Sequence, residues 1–307
     1  QELLQALQDL ARIAEEIPFR SVKGTTGTQA SYLSLFDGDH EKVKKLERLV
    51  ADKMGFEQVL PVSGQTYPRS LDYRVLTVIG QLACAAGKMG TDIRLLAGLK
   101  EMEEPFGKKQ VGSSAMAYKR NPMRSERMCS LSRFILNNVQ NTAFTAATQW
   151  LERTLDDSAI RRLALPEGFL AADAVVQLAS NVTAGLVVNE PVVERRLRAE
   201  LPFMATETIL MAAVSEGGDR QELHEAIREH SMEAARRVKQ QDGVNDLIER
   251  IEDDDRFAMI HDRLEELLDP SQFVGRAPRQ VDEFLAEVVE PALEEFPEAE
   301  ESARLRV

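Results

Sequence analysis

The sequence predicts an all-α protein, a bundle of long helices followed by a smaller helical domain. Three observations carry that expectation. Apolar residues recur at helical spacing over long stretches, alternating segments are nearly absent, and beyond residue 189 the helical patterns shorten between proline and glycine breaks.

Taken in order, Leu3, Leu4, Leu7, Leu10 and Ile13 mark an opening helix. The chain starts on Gln1, already inside that pattern, so further sequence upstream is expected. Lys23-Gly24-Thr25-Thr26-Gly27-Thr28-Gln29 is a glycine and threonine turn, a composition suited to capping a helix or cradling an anion. Val59 to Val62, bounded by Gly55 and Gly64, is the one segment that reads as extended. From Val75 the apolar positions Val75, Ile79, Leu82, Ala86, Met89, Ile93 and Leu96 alternate steps of four and three, the seam of a long bundle helix. A second long helix is expected from Pro122 to about Thr154, carrying Met128, Leu131, Ile135, Val139 and Trp150. A third, from about Pro166 to Val188, is dense in Ala, Leu and Val. These stripes read as core.

Residues 1–188 therefore form the expected bundle domain and 189–307 a smaller helical domain, broken by Pro202, Gly217-Gly218, Gly243, Pro270 and Pro278. The acidic tail from Asp282 to Glu301 reads as a solvated helix face.

With 307 residues the chain can bury a substantial core. Its formal charge of −13 and pI of about 5.0 disfavour nonspecific binding to nucleic acid or an anionic membrane. An anionic substrate would need a local cluster of arginines. Cys84 and Cys129 lie far apart within apolar patterns, which predicts two buried thiols in a reducing, cytoplasmic setting. No zinc spacing, signal peptide or apolar run of membrane-spanning length is apparent. His40, His224, His230 and His261 form neither a metal spacing nor a triad and read as structural or surface residues.

The segment with the most chemistry is Gly112-Ser113-Ser114-Ala115-Met116-Ala117-Tyr118-Lys119-Arg120-Asn121-Pro122. It places hydroxyls, cations and an amide behind a glycine that permits movement. A β-elimination expelling nitrogen needs a base for a carbon-bound proton, cations for the enolate-like carboxylate that forms, and an acid for the leaving nitrogen. Ser113 is a candidate base and Lys119 a candidate charge clamp, provided that loop closure shields the serine. Taken alone, Gly-Ser-Ser is also an ordinary turn before a helix that begins at Pro122. Arg124 and Arg127 lie one turn apart and project to the same side. Arg153, Ser158 and Arg162 follow near Glu152, Asp156 and Asp157, so the arginines can serve either phosphate and carboxylate recognition or surface ion pairing.

The loop resembles the signature segment of the fumarase/aspartase/argininosuccinate lyase superfamily, GSSxMPxKxNP, with Ala117 in place of the proline. Met123-Arg124-Ser125-Glu126-Arg127 narrows the resemblance to the adenylosuccinate lyase family. Lys23 to Gln29, Gly64-Gln65-Thr66-Tyr67, Leu201 to Glu207 and Phe273 to Pro278 extend it over essentially all the residues, corresponding to the last two thirds of the family chain.

The resemblance implies a fumarase/aspartase-like fold and release of fumarate from adenylosuccinate and from the related succinyl-carboxamide ribonucleotide of purine synthesis, with no cofactor and no metal. It implies Ser113 as the base and Ser114, Met116 and Gln65 at the substrate. Lys119 and Asn121 would hold the succinyl carboxylates, Arg127 the nucleotide, and Arg153, Ser158 and Arg162 the ribose phosphate. The family's Thr-His-Phe-Gln type segment, with its histidine acid, has no counterpart among these residues. Helices of roughly thirty residues span about 45 Å, so one chain is not expected to gather Gln65, Ser113 and Arg153 around one small molecule. The family's homotetramer, with sites shared between subunits, supplies that assembly. A sibling lyase of the superfamily, acting on argininosuccinate or aspartate, and a non-catalytic helical scaffold are the alternatives.

Overall fold

Long apolar stripes need partners along their whole length, and three helices supply them to one another. The computed structural model describes residues 1–107, 115, 116, 118–151 and 153–296. Among these, residues 1–188 and 189–296 make two compact units.

The first unit opens with α1 (Glu2–Glu16), α2 (Ala30–Leu35) and α3 (His40–Lys53), followed by the seam helix α4 (Ser70–Gly98). After β1 (Met102–Glu103) come α5 (Met123–Ala147), α6 (Asp157–Ala184) and β2 (Val187–Val188). The two short strands pair antiparallel, Met102 opposite Val188. The seam behaves as its spacing predicts: Ile79, Ala86 and Ile93 are buried, and Val75, Leu82, Met89 and Leu96 between them are half-buried.

Small residues set the helix directions. A Cβ on Gly80 would meet Val139, one on Gly87 would lie 3.0 Å from the Cβ of Ser132, and one on Gly90 would lie 3.0 Å from Cys129 Sγ. Ascending α4 therefore descends α5, so the two are antiparallel at close range. Gly168 of α6 lies against Leu76, while Asn138 of α5 donates to the Ala164 carbonyl at 2.6 Å. Hence α6 runs parallel to α4. Leu76, Ile79, Met128, Ile135, Val175 and Leu178 form the centre of their shared core.

Several expectations need correction. The helix predicted to run to Thr154 ends at Ala147, and Trp150 lies beyond it, 77% exposed rather than in the core. The third long helix begins at Asp157, nine residues before Pro166, and ends at Ala184. Proline normally breaks a helix interior; here Ala164 and Gly168, packed on either side of it, hold the turn against α4 and α5. The Val59 to Val62 segment forms no strand, only an isolated bridge from Val59 to Phe19. Cys129 is buried but Cys84 is exposed, because it sits on the face of α4 turned away from the core. Finally, α6 is long and apolar enough, by length and composition alone, to cross a membrane. Its Val175, Leu178 and Val182 are instead buried within the unit.

The second unit contains α7 (Glu190–Met204), α8 (Thr206–Ser215), α9 (Arg220–Gln241), α10 (Leu247–Glu252), α11 (Leu264–Leu267), α12 (Ala277–Phe284) and α13 (Glu290–Glu294). Asp219 starts α9 by accepting from the backbone N–H groups of Gln221 and Glu222, each at 2.9 Å, a side-chain N-cap. Ile209, Ala213, Leu223, Leu247, Phe257 and Ile260 make a separate core. Hydrogen bonds from Arg250 and then Arg237 hold the Asp246 carboxyl down at about 2. No residue of α12 or α13 is buried, as expected of a solvated acidic face.

Candidate functional site

The parallel course of α4 and α6 brings their N-termini to one end of the bundle, together with the C-terminus of α5. There the chain builds a buried polar network. Asp157, the first residue of α6, is fully buried and accepts from Arg69 Nε at 2.6 Å and from Arg153 Nη2 at 3.2 Å. Beside it, the Tyr67 hydroxyl donates to Asp72 Oδ1 at 2.7 Å, and the Arg161 guanidinium donates to both Asp72 and Tyr67. The Tyr67 ring also receives two cations on its π-system, with Arg69 Cζ 4.7 Å and Arg161 Cζ 5.3 Å from the centroid.

The charges in this network set its protonation. Burial pushes the Asp157 carboxyl up, but hydrogen bonds from Arg69 and Arg153 outweigh it and hold the group below its ordinary value. Burial and the neighbouring Asp72 raise the Tyr67 hydroxyl, so it stays a neutral donor. Arg161 is held protonated by Asp72 despite burial.

The two loops singled out in the sequence meet at the same end. Arg20 donates to the carbonyls of Gly24 and Gly64, each at 2.7 Å, and to Ser63 Oγ at 3.1 Å, so one guanidinium ties residues 20–29 to residues 63–66. Gly27 (φ +85°) lies so close that a Cβ there would sit 1.7 Å from the Ser63 carbonyl oxygen. Only glycine fits that contact. Buried Lys23 pairs with Glu47 and donates to the Pro61 carbonyl at 3.3 Å. Gln65, on the docked loop, is exposed.

At the opposite end, α5 begins after the signature segment. Glu104, buried, accepts from Arg124 N at 3.0 Å, Ser125 N at 2.9 Å and Ser125 Oγ at 3.0 Å. A carboxylate from outside the helix thus satisfies its first free N–H groups and complements its dipole. Ser113 and Ser114 lie outside the described residues, as do Gly112 and Ala117. Met116 is half-exposed and its carbonyl accepts from Lys119 N at 3.0 Å; Asn121 is half-buried and its carbonyl accepts from Met123 N at 2.8 Å. The side chains of Lys119 and Arg127 are exposed. Arg124 and Arg127, expected to project alike, differ: Arg124 is buried and donates to the Pro105 carbonyl, whereas Arg127 is open.

The predicted site residues therefore fall into two groups. Gln65, Arg153, Ser158 and Arg162 belong to the network end. Lys119, Asn121 and Arg127 flank the other end, and the 25 residues of α5 span roughly 37 Å between them. Arg162 donates back to Ser158, to its carbonyl at 2.8 Å and to its hydroxyl. The surface-pairing alternative for Arg153 is half right: it does pair with Asp157, but that carboxylate is buried. Sequence reasoning passed over Tyr67, Arg69, Asp72 and Arg161 as site-building residues. The four-residue spacing of Arg153, Asp157 and Arg161 was the available signal. Among the described residues no group of three His, Cys, Asp or Glu side chains is placed to hold a metal ion.

Comparison with known proteins bears on what this arrangement serves. Residues 5–136 match a family model described as Lyase, and residues 202–284 match one described as Adenylosuccinate lyase C-terminus. The adenylosuccinate lyases of Saccharomyces cerevisiae and Schizosaccharomyces pombe are each 54% identical over 296 residues, covering 96% of this chain and 61% of theirs. The chain belongs to the adenylosuccinate lyase family. It spans about three-fifths of the length of these relatives. The adenylosuccinate lyase of Pyrococcus horikoshii, 30% identical over 292 residues, covers 94% of the chain and 61% of its own length.

Solved structures carry the same fold. The 3-carboxy-cis,cis-muconate lactonizing enzyme of Pseudomonas putida aligns with a TM-score of 0.78 at 20% identity, over 95% of this chain and 62% of that one. A fumarate lyase from Mesorhizobium sp. BNC1 aligns at 0.73 and 21%, over 92% and 62%. At such identities the likeness speaks to the fold, which is the fumarase/aspartase-like all-α architecture expected of an adenylosuccinate lyase family member.

Proposed function

We propose that this chain carries substrate-holding and base-bearing parts of an adenylosuccinate lyase, which eliminates fumarate from adenylosuccinate and from the succinyl-carboxamide ribonucleotide of purine synthesis. The single observation that carries the reading is the arginine-rich end of the bundle, where Arg153 and Arg162 sit beside the Gln65 loop in a chain of formal charge −13. Local cations of this kind suit the phosphate of a nucleotide substrate.

In this reading Arg153, Ser158 and Arg162 hold the ribose phosphate and Gln65 contacts the substrate. From the other end of the bundle, Arg127 contacts the nucleotide and Lys119 and Asn121 hold the succinyl carboxylates. Ser113, with Ser114 and Met116 beside it, removes the proton from the succinyl carbon. The electron pair left on carbon expels the nitrogen as the double bond of fumarate forms, and Lys119 stabilises the enolate-like carboxylate on the way. The acid that protonates the nitrogen is not assigned to a residue of this chain. The two groups of residues lie at opposite ends of α5, so each site draws on more than one copy of the chain, in a cytoplasmic homotetramer. Large apolar side chains left exposed on the bundle helices, Leu95, Phe144, Phe169 and Leu170, support such packing.

Cleavage of adenylosuccinate, followed by its ultraviolet change, tests the reading by comparing the chain with Ser113→Ala. Loss of turnover by a factor of about a hundred or more on substitution is expected of a positioned base. Turnover that survives the substitution unchanged removes Ser113 from that role. A chain that neither turns over substrate nor binds AMP is a helical scaffold.

A further inference from the structure

The network at the N-termini of α4 and α6 does not balance its own charge. Three guanidinium groups, Arg69, Arg153 and Arg161, meet two carboxylates, Asp72 and Asp157, which leaves a surplus of one positive charge. The surplus is not shared evenly. Arg69 is almost wholly buried, its Nε 2.6 Å from Asp157 and its guanidinium over the Tyr67 ring. Arg161 is committed to Asp72 and Tyr67. Among the described residues Arg153 makes one side-chain hydrogen bond, from Nη2 to Asp157 at 3.2 Å, and its Nε is buried with no partner. A buried N–H without an acceptor is costly and rare in a native structure. An anion arriving at the solvent-facing edge of the Arg153 guanidinium, whose side chain is 23% exposed, would offset the surplus charge and engage the donors that face solvent.

We propose that Asp157 is a positioning residue that, anchored by Arg69, fixes the Arg153 guanidinium in the orientation in which its remaining donors take a phosphate oxyanion. This rests on the reading of Arg153 as a phosphate-holding residue. The division of labour follows from geometry. Each Asp157 oxygen serves a different arginine, so the carboxylate is a rigid bridge between an almost wholly buried arginine and a partly exposed one. Its place at the first turn of α6 adds the helix dipole to its anchoring. Arg153 would otherwise have to give up much of its rotamer freedom on binding; held in advance, it loses less.

The test is the ratio of affinities for AMP and adenosine, measured by calorimetry on the whole chain and on Arg153→Ala, Asp157→Asn and the double variant, with folding checked by circular dichroism. Asp157→Asn is expected to lower that ratio about tenfold, the scale of one charge-assisted hydrogen bond. In the Arg153→Ala background it is expected to lower it no further, since the two act as one unit. A folded Asp157→Asn that keeps the ratio, while Arg153→Ala loses it, overturns the positioning role alone. An unchanged ratio in Arg153→Ala overturns the phosphate-holding reading itself, and a parent chain that does not bind AMP overturns both. Should Asp157→Asn fail to fold, Asp157→Glu keeps the charge beside Arg69 and shifts the carboxylate by one methylene. Loss of phosphate preference in that variant supports positioning, and its retention makes the pair merely structural.

Discussion

The two ends of the α4–α5–α6 bundle handle charge in opposite ways. Where α4 and α6 begin, arginines are drawn inside and matched with Asp72, Asp157 and Tyr67, so that little is left to move. Where α5 begins, a single buried carboxylate, Glu104, completes the helix, and Lys119 and Arg127 stay in solvent. The first end is organised before any ligand arrives. The second offers exposed cations on flanks whose geometry a ligand can still adjust.

This contrast can be broken by experiment. Asp157→Ala leaves Arg69 buried without its partner and is expected to cost about 3–5 kcal/mol of stability, the usual penalty for splitting a buried ion pair. Chemical denaturation measures it, and a cost below about 1 kcal/mol, typical of exposed pairs, would mean that the network end is not preorganised. Glu104→Ala, at the other end, removes three accepted hydrogen bonds and is expected to cost about 2 kcal/mol, the upper range for a lost helix cap. Far-ultraviolet circular dichroism during thermal unfolding reads the difference between the two variants.

Acid sharpens the comparison. The Asp157 carboxyl lies below its ordinary value in the folded chain, so the stability it contributes is present above the unfolded value near 3.8 and is lost as pH falls through the folded one. Below about pH 4 the parent should lose unfolding midpoint more steeply than Asp157→Asn, which has no such group to protonate. Parallel curves would mean that the paired arginines do not hold this carboxyl down. The smallest stability effect is expected from Lys119→Ala and Arg127→Ala. Each should shift stability by less than about 0.5 kcal/mol, as surface substitutions do, while weakening substrate binding. A large loss of stability would place these cations in a structural role and erase the distinction between the ends.

Much of this was legible in the residues. The four-and-three stepping from Val75 to Leu96 gave α4 and its buried face, because a helix turns about 100° per residue whatever surrounds it. The punctuation after residue 189 marked shorter helices. The signature segment with Met123 to Arg127 identified the family, since so many fixed positions do not recur by accident in a turn. Boundaries were less legible. Pro166 looked like a helix start, yet packing at Ala164 and Gly168 overrides the local preference of proline; Trp150 looked like core but lies past the end of α5.

By itself the sequence determined the helical class and the seam, which follow from local periodicity, and, through the signature segment, the family. Only the tertiary structure decided which arginines are spent and which are free. Arg69, Arg153, Arg161 and Arg162 are equivalent as letters. They become different when the parallel packing of α4 and α6 buries Asp157 between Arg69 and Arg153 and sets Asp72 against Arg161. Burial strengthens each of those pairings and penalises any charge left without one, and burial is a property of neighbours distant in sequence.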